Sequence, residues 1–201
     1  MDFDLAPLFD AFLAMPKWEI IAVILGILYV ILAAKESAWC WVSGFFSTLI
    51  YTILFWEGQL LSSALLNFYY MGMSIYGFIL WKRGTGQGDE ELPITTWPIS
   101  RHLISIVIAI FFSLVVGYLL TTYTSARLPY LDAMVMVFSI FATWMLAQKI
   151  LANWLYWMFI DTAAITLYWS TGYYVTIILF MVYVMLSVYG YFSWRKSKSG
   201  V

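Results

Sequence analysis

The chain has 201 residues, of which 64% are hydrophobic and 20% aromatic while only 10% are charged. A soluble domain carries about 25% charged and about 45–50% apolar residues, so this composition excludes a water-soluble globule and marks an integral membrane protein. The net charge of −1 gives no electrostatic basis for a nucleic-acid partner, the lone Cys40 excludes an internal disulfide framework and a thiolate metal cluster, and the lack of a GxxxxGK[ST] loop excludes an ATPase.

Residues 1–17 begin with Asp2 and Asp4, which is unlike a secretory signal. Leu5, Leu8, Phe9, Phe12 and Leu13 fall on one helical face, so this segment reads as a short helix lying at the membrane interface or as a frayed terminus. Seven stretches of about 20 mainly apolar residues follow, near 18–34, 37–56, 60–81, 101–122, 131–148, 150–169 and 174–194. Runs such as IIAVILGILYVILAA do not alternate, so the fold class is an all-α membrane protein with seven transmembrane helices rather than a β-barrel.

Between the third and fourth stretches, residues 82–100 (KRGTGQGDEELPITTWPIS) combine glycines, prolines and mixed charge. With no strand before its GTGQG, this segment reads as a flexible cytoplasmic linker and not as a nucleotide fingerprint. Basic residues set the direction of insertion. Lys35, Lys82, Arg83, Arg101, Lys149, Arg195, Lys196 and Lys198 gather on one side, against Lys17 and Arg127 on the other. The expected orientation is N-terminus out and C-terminus in, with a basic cytoplasmic tail at 195–201.

The chain also repeats itself. KESAWCWVSGFF…WEG…MSIYGFILWKR (35–83) parallels KILANWLYWMFI…STG…LSVYGYFSWRK (149–196). Lys35 pairs with Lys149 and Gly58 with Gly172 at an offset of 114, while Tyr76, Gly77 and Trp81 pair with Tyr189, Gly190 and Trp194 at 113. Three crossings reverse the chain's side, so a second parallel triplet needs one connecting helix. The expected organisation is a first three-helix repeat (18–81), the linker, a connecting helix (101–122) and a second repeat (131–194), a 3+1+3 arrangement with a substrate site between the repeats. A packed scaffold needs no such symmetry.

Asp161 is the one ionisable side chain near the middle of a crossing. A carboxylate there costs about 2.5–3.5 kcal/mol on insertion scales, which makes it a functional candidate beside an architectural one. Asn153, Trp157, Asp161, Ala164 and Tyr168 share its helix face, with Trp154 at the flank. Helix three presents Asn67, Tyr70, Ser74, Gly77 and Trp81, helix seven Tyr183, Ser187, Gly190 and Trp194, and helix two Trp41, Gly44, Thr48 and Tyr51. Polar faces in a bilayer must meet inside the bundle. An anion among indoles and phenols suits a cationic heteroaromatic ligand, each cation–π contact contributing about 2 kcal/mol when desolvated. The candidate binding residues are Trp41, Asn67, Tyr70, Ser74, Trp154, Trp157, Asp161, Tyr168, Tyr183 and Ser187. Trp18, Trp39, Trp56, Trp81, Trp169 and Trp194 sit near helix ends and read as an interfacial belt. His102, beside Arg101, reads as a membrane-surface residue and Cys40 as a small apolar filler. No metal cluster, catalytic triad or cofactor motif is present, so an enzyme is not expected.

These pieces resemble the Pnu family of bacterial vitamin transporters, with their SWEET-like 3+1+3 repeats. The likeness rests on the N-W-x-x-W-x-x-x-[ND] pattern at 153–161, on SALLNFYYMGMSIYGFILW in helix three and on LPYLDAMVMVFSI at 128–140, and it spans roughly 18–196. The resemblance implies a bacterial inner-membrane carrier that takes up an unphosphorylated vitamin by facilitated diffusion, with a cytoplasmic vitamin kinase as the trap. Members known for nicotinamide riboside align Gln with Asn67 and Asn with Asp161, and an aromatic residue with Leu131. Because Asp161 complements both an aminopyrimidine donor and a thiazolium charge, thiamine is favoured here over nicotinamide riboside. A non-transporting membrane subunit or receptor is the rival class. A homo-oligomer is compatible with the sequence, which does not set the oligomeric state.

Overall fold

Helices account for nearly all of the residues that the computed structural model describes, which are 15–57, 61–84, 92–171 and 174–200. They are α1 (Lys17–Ala34), α2 (Trp39–Glu57), α3 (Leu61–Arg83), α4 (Ile99–Tyr123), α5 (Pro129–Ala147), α6 (Asn153–Thr171) and α7 (Tyr174–Ser199). Six of them are long and apolar enough to cross a bilayer. The seventh, α6, matches them in length, but Asn153 and Asp161 lower its apolarity. The expected helix at 1–17 and the glycine pair Gly58 and Gly172 lie outside the described residues, apart from 15–17.

Prolines open three helices, Pro16 and Pro98 immediately before α1 and α4 and Pro129 in the first turn of α5. There a missing N–H costs nothing, and the fixed φ already suits a helix. α1 and α5 end alike. Glu36 (φ 58°) and Lys149 (φ 49°) turn the chain through the left-handed region. The Ser37 N–H then returns to Leu32 O and the Ile150 N–H to Met145 O, each at 3.0 Å. Both ends are Schellman motifs, and both put a charged residue where glycine is usual.

The helices pack in order around a closed ring, α1–α2–α3–α5–α6–α7, with α7 returning to α1. Among the described residues α4 packs mainly on α5 and touches α6 through His102 and Tyr156, so it stands outside the ring. Its small residues Ala109, Ser113 and Gly117 form its buried stripe, while Leu103, Val107, Phe111 and Tyr118 face outward. That outward face suits lipid contact, since Leu, Val and Phe lose nothing against acyl chains.

Three expectations change. Residues 92–98 are not a loose tether. Ile94 is buried, the Thr95 N–H donates to Lys149 O and the Leu151 N–H donates to Thr95 O, each at 2.9 Å. α7 also runs on as helix to Ser199, and Lys198 Nζ reaches Thr96 Oγ1 at 2.8 Å. Trp81 and Trp194 are not belt residues either. Both are buried, and their indole N–H groups donate across the ring to Ala147 O and Ala33 O, each at 2.9 Å. By contrast Trp18, Trp39, Trp56 and Trp169 are exposed, as belt residues would be.

This difference predicts a stability contrast. Trp81→Phe leaves the buried Ala147 carbonyl without its donor and should cost about 1–3 kcal/mol, whereas Trp194→Phe leaves Ala33 O the Glu36 N–H and should cost about 0.5–1.5 kcal/mol. Trp18→Phe should stay within about 0.5 kcal/mol of wild type. Thermal unfolding in detergent reads all three. Equal midpoints would mean that the two indole bonds contribute nothing.

Candidate functional site

The six-helix ring encloses a cavity of about 320 Å³, within the range of about 300–1,000 Å³ usual for small-molecule sites. Every ring helix contributes to the described wall, and α4 contributes nothing. All ten candidate binding residues lie along it. From the first half come Trp41 on α2 and Asn67, Tyr70 and Ser74 on α3. From the second come Trp154, Trp157, Asp161 and Tyr168 on α6, and Tyr183 and Ser187 on α7. Gly44, Thr48 and Tyr51, on the expected face of α2, join them.

Other members of the predicted faces sit elsewhere. Gly77, Trp81, Gly190 and Trp194 lie beyond the cavity's floor, packed against its tryptophans. Asn153 is fully buried, and its amide donates to Ile150 O at 2.8 Å, closing the turn that begins α6. His102 is not a bare surface residue. Its Nδ1 lies 3.1 Å from the Tyr156 hydroxyl, and Trp97 covers its ring at 5.6 Å.

Sequence reasoning missed part of the wall. Gly26, Tyr29, Val30 and Ala33 on α1, and Ser139 and Thr143 on α5, line the cavity as well. Their spacing is helical, but YVILAA reads like any lipid-facing stretch. Tyr29 meets the Trp41 ring edge-on at 5.7 Å, and its ring lies against Gly44.

Three hydroxyls in the wall are already satisfied by their own helices. Ser74 donates to Tyr70 O at 2.9 Å, Thr143 to Ser139 O at 2.8 Å and Thr48 to Gly44 O at 2.8 Å. Such back-bonding is the usual fate of Ser and Thr in an apolar setting. Ser43 and Ser47 instead donate to Leu25 O and Ala22 O, each at 2.8 Å, and so tie α2 to α1.

Some polar groups in the described wall are left over. The Trp41 and Trp154 Nε1 atoms are buried without a hydrogen-bond partner among the described residues. Asp161 is 3% exposed, and no described residue forms an ion pair or hydrogen bond with it. No Lys, Arg or His lines the described wall. Buried polar groups are ordinarily satisfied, and a lone buried charge is costly. The arrangement therefore offers one carboxyl group, two indole donors and several aromatic faces. That set can hold a flat cation or a neutral ring, and it offers no basic residue to a phosphate. Among the described residues no group of three or more His, Cys, Asp or Glu comes together to bind a metal.

Known proteins share this layout. Residues 17–196 match the family model described as nicotinamide mononucleotide transporter. The chain is similar to the nicotinamide riboside transporter PnuC of Escherichia coli (strain K12), at 25% identity over 203 residues covering 89% of this chain and 85% of the relative. It is likewise similar to the riboflavin/roseoflavin transporter RibM of Streptomyces davaonensis, at 27% identity over 180 residues covering 88% and 83%. A crystal structure of the vitamin B3 transporter PnuC has the same fold, with a TM-score of 0.76 over 98% of this chain and 88% of that chain at 22% identity.

Proposed function

This chain belongs to the nicotinamide mononucleotide transporter family, a family of multi-pass inner-membrane proteins, and from that premise we propose that it carries an unphosphorylated cationic vitamin of the nicotinamide riboside kind into the cell. The observation that carries this reading is Asp161, a buried carboxylate with no cation among its described neighbours, facing a cavity walled by Trp and Tyr. A pyridinium ring supplies the missing charge and stacks on the indoles. A monophosphate would bring two negative charges against Asp161, with no basic residue in the described wall to meet them.

Thiamine gives way as the first choice. The relatives named above carry nicotinamide riboside and riboflavin in their names, not thiamine. Asp161 suits a thiazolium and a pyridinium alike, so charge alone never separated the two.

The mechanism we infer is alternating access between two parallel three-helix repeats, α1–α3 and α5–α7, with α4 as the connector and the N-terminus outside. Several contacts support it by occurring twice. The T-shaped pair Trp41–Trp81 (5.6 Å, 86°) has its counterpart in Trp154–Trp194 (5.4 Å, 88°). Gly77 lies under Trp41 as Gly190 lies under Trp154. The contacts α1–α7 and α3–α5 join the halves in the same sense. These pairs run at an offset of 113, which matches Lys149 with Glu36 rather than with Lys35. One intramembrane carboxylate without a partner relay supports uncoupled, facilitated movement, with a cytoplasmic kinase trapping the vitamin.

Liposomes containing only this protein test the reading. Labelled nicotinamide riboside should enter in a saturable way, its 5′-monophosphate should not, and an imposed pH gradient should not be required. No uptake of any vitamin would favour the non-transporting subunit. Thiamine uptake without nicotinamide riboside uptake would restore the first expectation.

A further inference from the structure

Below the cavity, at the end that is cytoplasmic in the proposed orientation, the two halves meet through a layer that the transport reading has not used. Glu36 and Lys149 occupy matching places, each just past the end of its helix and each in the left-handed region that glycine normally fills. Their side chains meet. Lys149 Nζ lies 3.1 Å from Glu36 Oε2, and the two side chains are 3% and 22% exposed. The same ammonium sits 4.9 Å from the centre of the Trp81 ring, and Trp81 faces Trp194 at 6.0 Å.

Strained backbone at two symmetric charged residues is not what stability alone would select, since glycine at both would remove the strain. Strain that persists points to a function that over-determines it. The layer closes the cavity on this side, because Ala33, Ala34, Cys40, Trp81, Leu146, Ala147 and Trp194 pack in one buried cluster beneath Trp41 and Trp154. It is also held from outside. The segment around Thr95 bonds to the backbone on both sides of Ile150. A residue of the connector between the halves therefore grips the very loop that presents Lys149.

We propose that the Glu36–Lys149 ion pair, seated on Trp81 and strapped by Thr95, is the inner gate of the carrier. The pair holds the halves together across their shared axis while the cavity is closed to the cytoplasm. It must split, exchanging its buried contact for water, when the halves rock apart. Buried pairs add little to stability yet are strongly felt when one partner is lost, which fits a two-state latch better than a structural rivet. This inference rests on the transporter reading for its direction, but its test needs no substrate.

Cys40, the chain's only cysteine, is fully buried within the sealing cluster and serves as the reporter. The protein in detergent or nanodiscs is treated with a maleimide, and the rate of Cys40 labelling is measured. In the double variant Glu36→Gly with Lys149→Gly, both strained positions take the residue that suits them, so the fold is retained and the melting point does not fall. Its Cys40 should nevertheless label at least about tenfold faster. The charge-exchanged variant, Glu36→Lys with Lys149→Glu, should stay within about threefold of wild type, because the matching ring of Trp194 can receive the moved ammonium. Unchanged labelling in a folded glycine variant overturns the gate, as does fast labelling in the exchanged pair. Should the glycine variant not fold, Glu36→Gln decides by the same comparison. Because no vitamin is added, a wrong substrate assignment leaves the labelling result intact, and failed liposome uptake with gated labelling would separate the two claims.

Discussion

The Asp161→Asn protein is expected to bind a pyridinium nucleoside about ten- to a hundredfold more weakly than wild type, while its affinity for a neutral flavin stays within about threefold. The size follows from replacing a charge-assisted contact in a water-poor cavity by a neutral one, a difference of about 1.5–3 kcal/mol. Asn keeps the shape and one acceptor, so only the charge is tested. Trp157→Ala gives the complementary result. Removing a wall ring takes away stacking that every flat ligand uses, about 1–3 kcal/mol each, so cation and flavin should lose affinity together. Titration of both ligands against both variants checks the crossing. The unliganded Asp161→Asn protein should melt no lower than wild type, because Asp161 has no cation to lose among its described neighbours. A lower melting point with unchanged affinities would make Asp161 an architectural residue.

Much of the cavity wall was legible because polar and aromatic side chains inside apolar helices are expensive to misplace. Asn67, Tyr70 and Ser74 recur at helical spacing, as do Trp154, Trp157 and Asp161, and a bilayer leaves such faces nowhere to point but inward. What stayed hidden was set by partners far along the chain. Trp81 and Trp194 stand beside Lys82 and Arg195, where an interfacial role reads naturally. Their true surroundings depend on Ala147 and Ala33, 66 and 161 residues away. Thr143 carried no signal because a hydroxyl bonded to its own helix is unremarkable in any membrane crossing. One pairing of the expected repeat, that of Lys35 with Lys149, differs from the backbone for a similar reason. Letters align Lys35 with Lys149, but the backbone turn that only a left-handed residue can make aligns Glu36 with Lys149.

Three glycines make the packing argument testable by sign. A methyl group on Gly77 would run into the Trp41 ring, and one on Gly190 would come within 2.7 Å of three Trp154 ring atoms. Each ring is about 1% exposed and meets a second tryptophan edge-on, so it can give way only toward the cavity, at the expense of that contact. Gly77→Ala and Gly190→Ala should therefore each destabilise by about 1–3 kcal/mol, the usual cost of overpacking. Gly72 lies on the same helix as Gly77, yet a methyl group there meets nothing within 4 Å. Gly72→Ala should stabilise by about 0.5–1 kcal/mol through helix propensity alone. Thermal unfolding reads the three variants, and a uniform sign would refute the close fit. Pairing Gly77→Ala with Trp41→Phe, which shrinks the obstructing ring, should recover part of the loss as a coupling of at least about 0.5 kcal/mol. The same two rings form the floor of the cavity, so the destabilising pair should also weaken ligand binding whereas Gly72→Ala should not. Stability and affinity then move together at Gly77 and Gly190 because one ring face packs the helix and the other meets the ligand.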